Sequence, residues 1–286
     1  MDATIKSFLT HLAQEKKYSS NTLAAYKSDL EQLAAFLKLS STSANVNDFR
    51  FLSNELLAQY LHELKEKKYA QATLARKVAA AKSFLRYMVE TGKLRSDQAP
   101  KLTSPQVNKP LPKPLSVSEV RRFLAGPAKR ESVDGKRDKT MLELLYATGL
   151  RASELMSLNV TDVDFKSNQL HCKGGKVGVR AIPLDGYIVG ILKEYLDEAR
   201  PKLVNNEVEE ALFLNCRGER LTRQGFWQII QGYADEAGLS GKVTPRSLRH
   251  SFAAHKLSGG ADLQSVQELL GHTHISTTKV YQDVRI

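Results

Sequence analysis

The sequence has 286 residues, which is enough for one large domain or two domains of ordinary size. Hydrophobic residues make up 42% of the chain and charged residues 26%, which excludes a largely disordered protein, and no apolar run approaches the roughly 18 residues of a membrane span. The 42 Lys and Arg outnumber the 31 Asp and Glu, and the net charge of +11 favours a polyanionic partner, most often nucleic acid.

Four amphipathic helices are predicted at the start of the chain. Apolar residues recur there at the three- and four-residue spacing of one helix face. The four stripes cover residues 5–12, 26–37, 56–64 and 74–88. We therefore predict a four-helix domain over residues 1–106 with a small hydrophobic core of its own. Basic side chains on the other faces are candidate phosphate contacts, although each also suits an ordinary solvated surface: Lys16, Lys17, Lys27, Arg76, Lys77, Lys82 and Arg86.

A proline-rich segment follows the four predicted helices. Proline cannot continue a helix, and it biases the residue before it towards extended backbone. We therefore predict a semi-rigid linker at residues 107–116 and a second domain over residues 117–286. The prolines around this boundary are Pro105, Pro110, Pro112 and Pro114.

The second domain is predicted to be mostly helical with a small antiparallel β-sheet. A capping box at Ser116–Glu119 starts its first helix. Two strand-like runs around Gly174 and Gly175 predict a β-hairpin over residues 169–183, with the glycines in a tight turn. Further helices are predicted at residues 141–147, 153–158, 187–199, 222–237, 245–257 and 263–270.

Several cationic side chains, an imidazole and one phenol stand out in this second domain. Arginine can clamp the non-bridging oxygens of a phosphodiester and stabilise the charge of its transition state. A phenol can act as the covalent nucleophile, but its ordinary pKa is near 10, so it needs cationic neighbours to ionise. The set therefore suits attack on a phosphodiester. Its candidate members are Arg151, Lys173, Arg246, Arg249, His272 and Tyr281.

The motifs that contain these residues resemble those of the tyrosine recombinases, the phage-integrase family. The segments TGLRASEL (148–155) and LRHSFAAH (248–255) resemble the boxes that hold the family's two catalytic arginines. The segment LLGH (269–272), followed by Tyr281, resembles its third box, and SNT (20–22) resembles its N-terminal domain. The resemblance covers nearly the whole chain. In size and in the order of its motifs, the chain is most similar to the XerC/XerD type of the family. It implies an N-terminal four-helix, SAM-like core-binding domain that binds DNA and a C-terminal catalytic domain.

The resemblance also implies a role for each candidate. Arg151 and Arg249 hold the scissile phosphate, and His272 hydrogen-bonds it. Lys173 protonates the leaving 5′-oxygen. Tyr281 attacks the phosphate and forms a 3′-phosphotyrosyl link, which a partner strand later reverses. The link preserves the energy of the phosphodiester, so the expected reaction needs no cofactor, neither metal nor nucleotide.

The expected partner is double-stranded DNA that carries recombination sites, bound by a homo- or hetero-tetramer, with no membrane association. The resemblance does not separate a role in chromosome partition from the integration of a mobile element. The two cysteines, Cys172 and Cys216, argue against a disulfide scaffold and suit a reducing compartment. The first residues lack the pattern of a secretory signal, and we predict a cytoplasmic location.

One position departs from the family's pattern. Its second box usually reads His-x-x-Arg, and the histidine aligns with Arg246 here. An arginine still donates to phosphate, but it is a poor proton acceptor because its pKa exceeds 12. Two alternatives to an active recombinase therefore stay open: a catalytically weakened DNA-binding relative, and a type IB-like topoisomerase that uses the same chemistry.

Neighbouring residues offer competing interpretations. Lys176 is a rival to Lys173 on the same hairpin. His272 and His274 could be interpreted as a metal pair, although no acidic or thiol ligand accompanies them in the sequence. We predict that His250 and His255 are structural residues of a helix and not catalytic ones.

Overall fold

The structure is a computed structural model that describes residues 2–40, 49–95, 113–174, 178–206, 208–282 and 284. The chain divides into two compact units, Met1–Lys109 and Pro110–Ile286. The division falls within the predicted linker, of which residues 107–112 lie outside the described part. Nowhere in that part does a helix combine the length and the apolar character that a membrane crossing requires.

The first unit contains the predicted four helices. Its core is rich in aromatic rings, and Phe84 meets Phe8 and Phe49 edge to face, with ring centroids 5.3 and 4.7 Å apart. Ser53 caps the third helix, because its hydroxyl accepts a hydrogen bond from the backbone N–H of Leu56. Serine is a preferred residue at this position before a helix. The helices are α1 (Asp2–Gln14), α2 (Ser20–Ser40), α3 (Asn54–Glu66) and α4 (Gln71–Glu90).

One basic residue of this unit does not lie on its surface. Lys77 is only 7% exposed, and its Nζ donates to the Asp29 carboxylate at 2.9 Å. Arg76, on the exposed side of α4, bonds the same carboxylate. A buried carboxylate needs such partners, because an uncompensated charge in the core is costly. The expectation that Lys77 is a candidate phosphate contact is therefore wrong.

The second unit is mostly helical, as predicted. Its first helix starts with the capping box, in which Ser116 accepts from the Glu119 N–H and the Glu119 carboxylate accepts from the Ser116 N–H. The helices described are α5 (Val117–Ala128), α6 (Val133–Thr148), α7 (Ala152–Ser157), α8 (Gly186–Glu194), α9 (Arg223–Glu236), α10 (Pro245–Ser258), α11 (Leu263–Leu270) and α12 (Ser276–Lys279). The helix predicted over residues 187–199 continues beyond α8 as a π-helical turn, Tyr195–Ala199.

The sheet has three antiparallel strands in the order β1 (Val163–Asp164), β2 (Gln169–Gly174) and β3 (Gly178–Pro183). It confirms the predicted mainly α fold with a small antiparallel sheet. The turn of the hairpin differs from the prediction, because Gly174 belongs to β2 and pairs with Gly178. Residues 175–177, which connect these two glycines in the sequence, lie outside the described part.

The core of the second unit surrounds α6, whose Met141, Leu142, Leu144 and Leu145 are fully buried. Helix α10 packs against α6. A smaller cluster of buried side chains joins α10 and α11 to the end of the chain: Phe252, Ala253, Val266, Leu270 and Tyr281. This packing brings the motifs of α6, α7, α10 and α11 to one place.

Candidate active site

Arg249 is held by carbonyl groups at two helix ends. Helix α6 ends at Thr148 and α11 at Leu270, and the last carbonyls of a helix have no partner within it. From α10, Nη1 of Arg249 donates to the carbonyl of Gly149 and Nη2 to that of Leu270, each at 2.5 Å. Burial and repulsion by Arg151 lower the pKa of Arg249 to about 10, so it remains a cation at pH 7.

Arg151 lies at the start of α7, beside the same helix ends. Its Nη2 donates to the carbonyl of Gly271 at 3.1 Å, and its Nη1 donates to Glu154 at 2.7 Å. Gly149 and Gly271 both have a φ of 61°, the left-handed conformation that ends α6 and α11 and turns the chain. The Arg151 side chain is 43% exposed and thus open to a ligand, whereas Arg249 is buried behind it.

A buried carboxylate, Glu154, lies between three arginines. Arg180 on β3 donates two hydrogen bonds to it, at 3.0 and 2.9 Å, and also donates to the carbonyl of Leu269. Arg151 bonds the same carboxylate, and Nη1 of Arg249 lies 3.8 Å from it. Burial raises the pKa of Glu154, but hydrogen bonds from Arg180 and Arg151 lower it more, to about 2. Three cations thus surround one anion, which leaves a surplus of positive charge at the site.

We expect Glu154→Gln to lower the free energy of unfolding of the second unit by about 3 kcal/mol at pH 7. This value follows from the pKa of Glu154, which folding lowers from 4.5 to about 2. The carboxylate contributes this stability above about pH 4.5. The contribution declines as the pH falls towards 2, where the folded state also binds the proton. Urea unfolding at pH 7 and pH 3, followed by the fluorescence of Trp227, the single tryptophan, measures it.

The control for this experiment is Glu198→Gln, which removes an exposed carboxylate that is paired with Lys136. We expect it to change the stability by less than about 1 kcal/mol, as is usual for exposed ion pairs. A difference between the parent and Glu154→Gln that is the same at pH 7 and pH 3 would contradict the account given for Glu154.

His272 lies against Arg249. Its Nε2 is 3.1 Å from Nη2 of Arg249, which can only donate, and its Nδ1 is 3.0 Å from Oγ1 of Thr278. Burial and the charges of Arg249 and Arg151 lower the pKa of His272 to about 4. The imidazole is therefore neutral at pH 7, with its ring fixed by a partner on each side.

Tyr281 is 5% exposed and packs on Phe252, Val266 and Leu270. Burial raises the pKa of its phenol, and the nearby charge of Arg249 opposes that rise most strongly. The structure thus places the Tyr281 side chain near the positive charges of the arginine cluster. A phenol that must ionise needs such cationic neighbours.

The hydroxyl of Tyr281 has a partner that the sequence analysis did not assign. Nδ1 of His250 lies 2.6 Å from Oη of Tyr281. Arg246, exposed on the first turn of α10, donates from Nε to Nε2 of His250 at 3.0 Å. The structural role expected of His250 stays a prediction, and the structure adds that His250 contacts the candidate nucleophile. His255 instead bonds the hydroxyl of Tyr146, at 2.7 Å.

Lys173 is exposed on β2, opposite Val179. The next residue, Gly174, is packed so tightly that a Cβ atom there would lie 2.6 Å from Nη1 of Arg180. Successive residues of a strand point to opposite faces, so the Lys173 side chain leaves β2 on the face opposite to that of Gly174 and Arg180. Its rival Lys176 lies outside the described residues, and the roles of all six candidates stay predictions.

Two residues of the cluster were not predicted as site residues: Glu154 and Arg180. Glu154 stands in the first box, three positions after Arg151, and this spacing was an available signal. No sequence signal distinguishes Arg180 from other arginines. Among the described residues, no group of three or more His, Cys, Asp or Glu side chains is placed to hold a metal ion.

Comparison with known proteins places these motifs in a family. The sequence profile of the phage integrase family matches residues 113–286, and that of the phage integrase N-terminal SAM-like domain matches residues 5–92. The tyrosine recombinase XerC of Roseiflexus sp. (strain RS-1) is 44% identical over 286 residues, covering 99% of this chain and 90% of that protein. The tyrosine recombinase XerD of Listeria innocua is 39% identical, covering 99% of this chain and 95% of that protein.

The fold is also found in a solved structure of the XerH site-specific recombinase bound to palindromic difH substrate, a post-cleavage complex. The TM-score is 0.77 at 22% sequence identity, and the match covers 99% of this chain and 81% of that one. A crystal structure of XerA recombinase matches with a TM-score of 0.54 at 25% identity, covering 99% of this chain and 94% of that one. The chain therefore belongs to the phage integrase family and is a tyrosine recombinase.

Proposed function

We propose that this enzyme is a site-specific DNA recombinase that cleaves and rejoins DNA strands through a covalent 3′-phosphotyrosyl link to Tyr281. One observation carries the proposal: Arg151, Arg249 and His272 meet at the ends of α6 and α11, and Tyr281 packs beside them. Arginines that hold a phosphate and a phenol that attacks it are the two parts this chemistry requires.

The positive charge of the cluster explains how the phosphate is activated. The two arginines neutralise the non-bridging oxygens and stabilise the extra charge of the pentacovalent transition state. Backbone carbonyls and a carboxylate hold both guanidinium groups, so little reorganisation is needed during the reaction. Arg246 adds a further guanidinium that donates to phosphate.

The reaction requires two proton transfers. The phenol of Tyr281 loses its proton as the oxygen–phosphorus bond forms, and the bond to the 5′-oxygen breaks. Lys173 supplies a proton to that oxygen. A 5′-hydroxyl from a partner strand then displaces Tyr281 by the reverse steps, so phosphodiester bonds are exchanged without net hydrolysis and without metal or nucleotide.

The proposal is tested by recovering covalent adducts. The protein is incubated with a pool of short duplexes of random sequence, each nicked near its centre so that the cleaved strand diffuses away. DNA that stays bound after denaturation is sequenced, which identifies the target, and the experiment is repeated with EDTA. We expect adduct in both conditions. Retardation on a native gel without adduct would instead support a weakened DNA-binding relative, and inhibition by EDTA would contradict metal independence.

A separate experiment distinguishes recombination from topoisomerase activity. Relaxation of a supercoiled plasmid that lacks the recovered target would favour a type IB-like topoisomerase. Exchange of strands between two duplexes that carry the target would favour the recombinase. We propose that the recombinase acts as a homo- or hetero-tetramer on two such sites in double-stranded DNA.

We expect DNA binding to weaken steeply with salt. If the protein neutralises about six phosphates, the logarithm of the association constant falls with the logarithm of the salt concentration with a slope of about −5, or −0.9 per phosphate. The net charge of +11 is large enough for such a contact. Fluorescence anisotropy on a labelled target duplex between 50 and 300 mM NaCl measures the slope. A nearly flat response would contradict extensive phosphate contact.

A further inference from the structure

The contact between His250 and Tyr281 has no part in the mechanism described so far. Nδ1 of His250 lies 2.6 Å from the phenol oxygen, and the two ring centroids are 5.3 Å apart. On the other side of the imidazole, Nε of Arg246 donates to Nε2 at 3.0 Å. Arg246 and His250 are four residues apart on α10, so that their side chains lie on one helix face.

The direction of these hydrogen bonds follows from the chemistry of the groups. A guanidinium N–H can only donate, so Nε2 of His250 must be the acceptor and carries no proton. Burial and the charges of Arg246 and Arg249 lower the pKa of His250 to about 4, so the ring is neutral at pH 7. A neutral imidazole has one N–H, which is therefore on Nδ1. That N–H points at the oxygen of Tyr281 and donates to it.

We propose that His250 is a catalytic residue that donates a hydrogen bond from Nδ1 to the Tyr281 oxygen and stabilises the phenolate that attacks DNA. Arg246 is a positioning residue that fixes the tautomer of His250. This assignment rests on the proposed function, in which Tyr281 is the nucleophile. The phenol proton itself leaves to water, because the only basic nitrogen of His250 is already bonded to Arg246.

The assignment explains how an arginine at position 246 is compatible with activity. Tyr281 is buried, and burial raises its pKa, so the phenolate needs a donor close to the oxygen. His250 supplies one, and Arg246 polarises that imidazole through its opposite nitrogen. Arg246 therefore acts on the nucleophile without accepting a proton. It supports the phenolate after ionisation instead of removing the proton.

Two substitutions at His250 separate its hydrogen bond from its shape. His250→Phe keeps a planar ring and removes the donor, whereas His250→Asn places an amide nitrogen near the position of Nδ1. We expect His250→Phe to slow single-turnover cleavage of the nicked target duplex by about 10²-fold, as for loss of one preorganised donor. We expect His250→Asn to regain at least tenfold of that loss. The affinity for the duplex should stay within threefold in both variants.

The matched control is His255→Phe, because His255 lies on the same helix and also bonds a tyrosine hydroxyl, that of Tyr146. We expect its cleavage rate to stay within threefold of the parent rate. Thermal unfolding of all variants verifies that each is folded at the temperature of the assay. Equal losses in His255→Phe and His250→Phe would show a general effect on α10 and overturn the assignment.

A change of leaving group shows on which side of the phosphate His250 acts. A duplex with sulfur in place of the 5′-bridging oxygen releases a thiolate, which needs no proton from Lys173. We expect this duplex to restore cleavage by Lys173→Met and to leave the defect of His250→Phe unchanged. Restoration of His250→Phe by sulfur would place His250 at the leaving group and overturn the assignment.

The role of Arg246 is tested by a double-mutant cycle. The part of the effect of Arg246 that comes from its own donation to the phosphate does not depend on His250. If Arg246 also acts through His250, Arg246→Leu slows cleavage less in the His250→Phe background than in the parent. Fully additive losses would overturn the positioning role.

The outcomes also distinguish this assignment from the function on which it rests. Adduct from the parent, none from Tyr281→Phe, and an unchanged or faster rate in His250→Phe would overturn the assignment of His250 alone. A faster rate would mean that His250 restrains the tyrosine. No adduct from the parent would overturn the proposed function, and this assignment with it.

Discussion

Tyr281→Phe is expected to abolish the covalent adduct, with less than about 10⁻³ of the parent yield, while the affinity for the target duplex stays nearly unchanged. The substitution removes one oxygen atom, which is the proposed nucleophile. The ring keeps its packing on Phe252, Val266 and Leu270, so the core of this region is preserved. Denaturing gels with the nicked target measure the adduct, and anisotropy measures binding.

The control for this prediction is Tyr146→Phe, which also removes a tyrosine hydroxyl that bonds a histidine of α10. We expect it to form adduct normally. Adduct that survives in Tyr281→Phe would place the nucleophile elsewhere. Tyr195 and Tyr233 are poor substitutes, because both are buried and bonded within the core, to the carbonyl of Leu212 and to Asp138.

Burial raises the pKa of both of these alternative tyrosines. The pKa of Tyr195 reaches about 12, and that of Tyr233 is raised further by burial and by the charge of Asp138. Burial also raises the pKa of Tyr281, and the charges of Arg249, Arg246 and Arg151 oppose that rise. Tyr281 differs from these two by its contact with His250 and by its position in the third box.

The helices could be predicted from the sequence because their apolar stripes are regular and their ends carry local signals. Ser116 and Glu119 cap α5, and Gly149 and Gly271 end α6 and α11, with the positive φ that glycine accepts most easily. Such signals involve residues only a few positions apart. Where a strand ends depends instead on its register with the neighbouring strand, and Gly174, predicted in the turn, belongs to β2.

The partners of buried charges could not be predicted in this way. Lys77 follows the exposed Arg76 on α4, and only the packing of α4 on α2 shows that Lys77 pairs with Asp29. Arg180 and Glu154 are 26 residues apart in sequence, and His250 and Tyr281 are 31 apart. Pairs at such separations are determined by the tertiary fold.

The motif resemblance named candidate members of the site but not the residues that support them. It named Arg151 and Arg249 as cations that hold a phosphate, and the structure brings both to Glu154. It gave no reason why one is exposed and the other buried. That difference in surroundings leads to different expectations for the same substitution in the two arginines.

Arg249→Lys is expected to slow single-turnover cleavage by about 10²–10³-fold and also to destabilise the second unit by about 2–4 kcal/mol. The buried guanidinium bonds the carbonyls of Gly149 and Leu270 at once, and a lysine ammonium cannot span both. One helix end would then keep a buried carbonyl without its donor. Single-turnover kinetics on the target duplex and urea unfolding followed by Trp227 measure the two effects.

Arg151→Lys is the matched comparison, because the Arg151 side chain is 43% exposed and its buried partner Glu154 keeps two hydrogen bonds from Arg180. We expect a similar loss of cleavage rate, since both guanidinium groups are proposed to hold the phosphate, but a loss of stability below about 1 kcal/mol. The two variants are therefore compared by the loss of stability that accompanies a given loss of cleavage rate. If Arg249→Lys were as stable as Arg151→Lys, the carbonyls at the ends of α6 and α11 would not depend on Arg249. If Arg249→Lys were destabilised yet cleaved DNA at the parent rate, Arg249 would serve only to join the two helix ends, and the phosphate would be held by Arg151 and Arg246 alone.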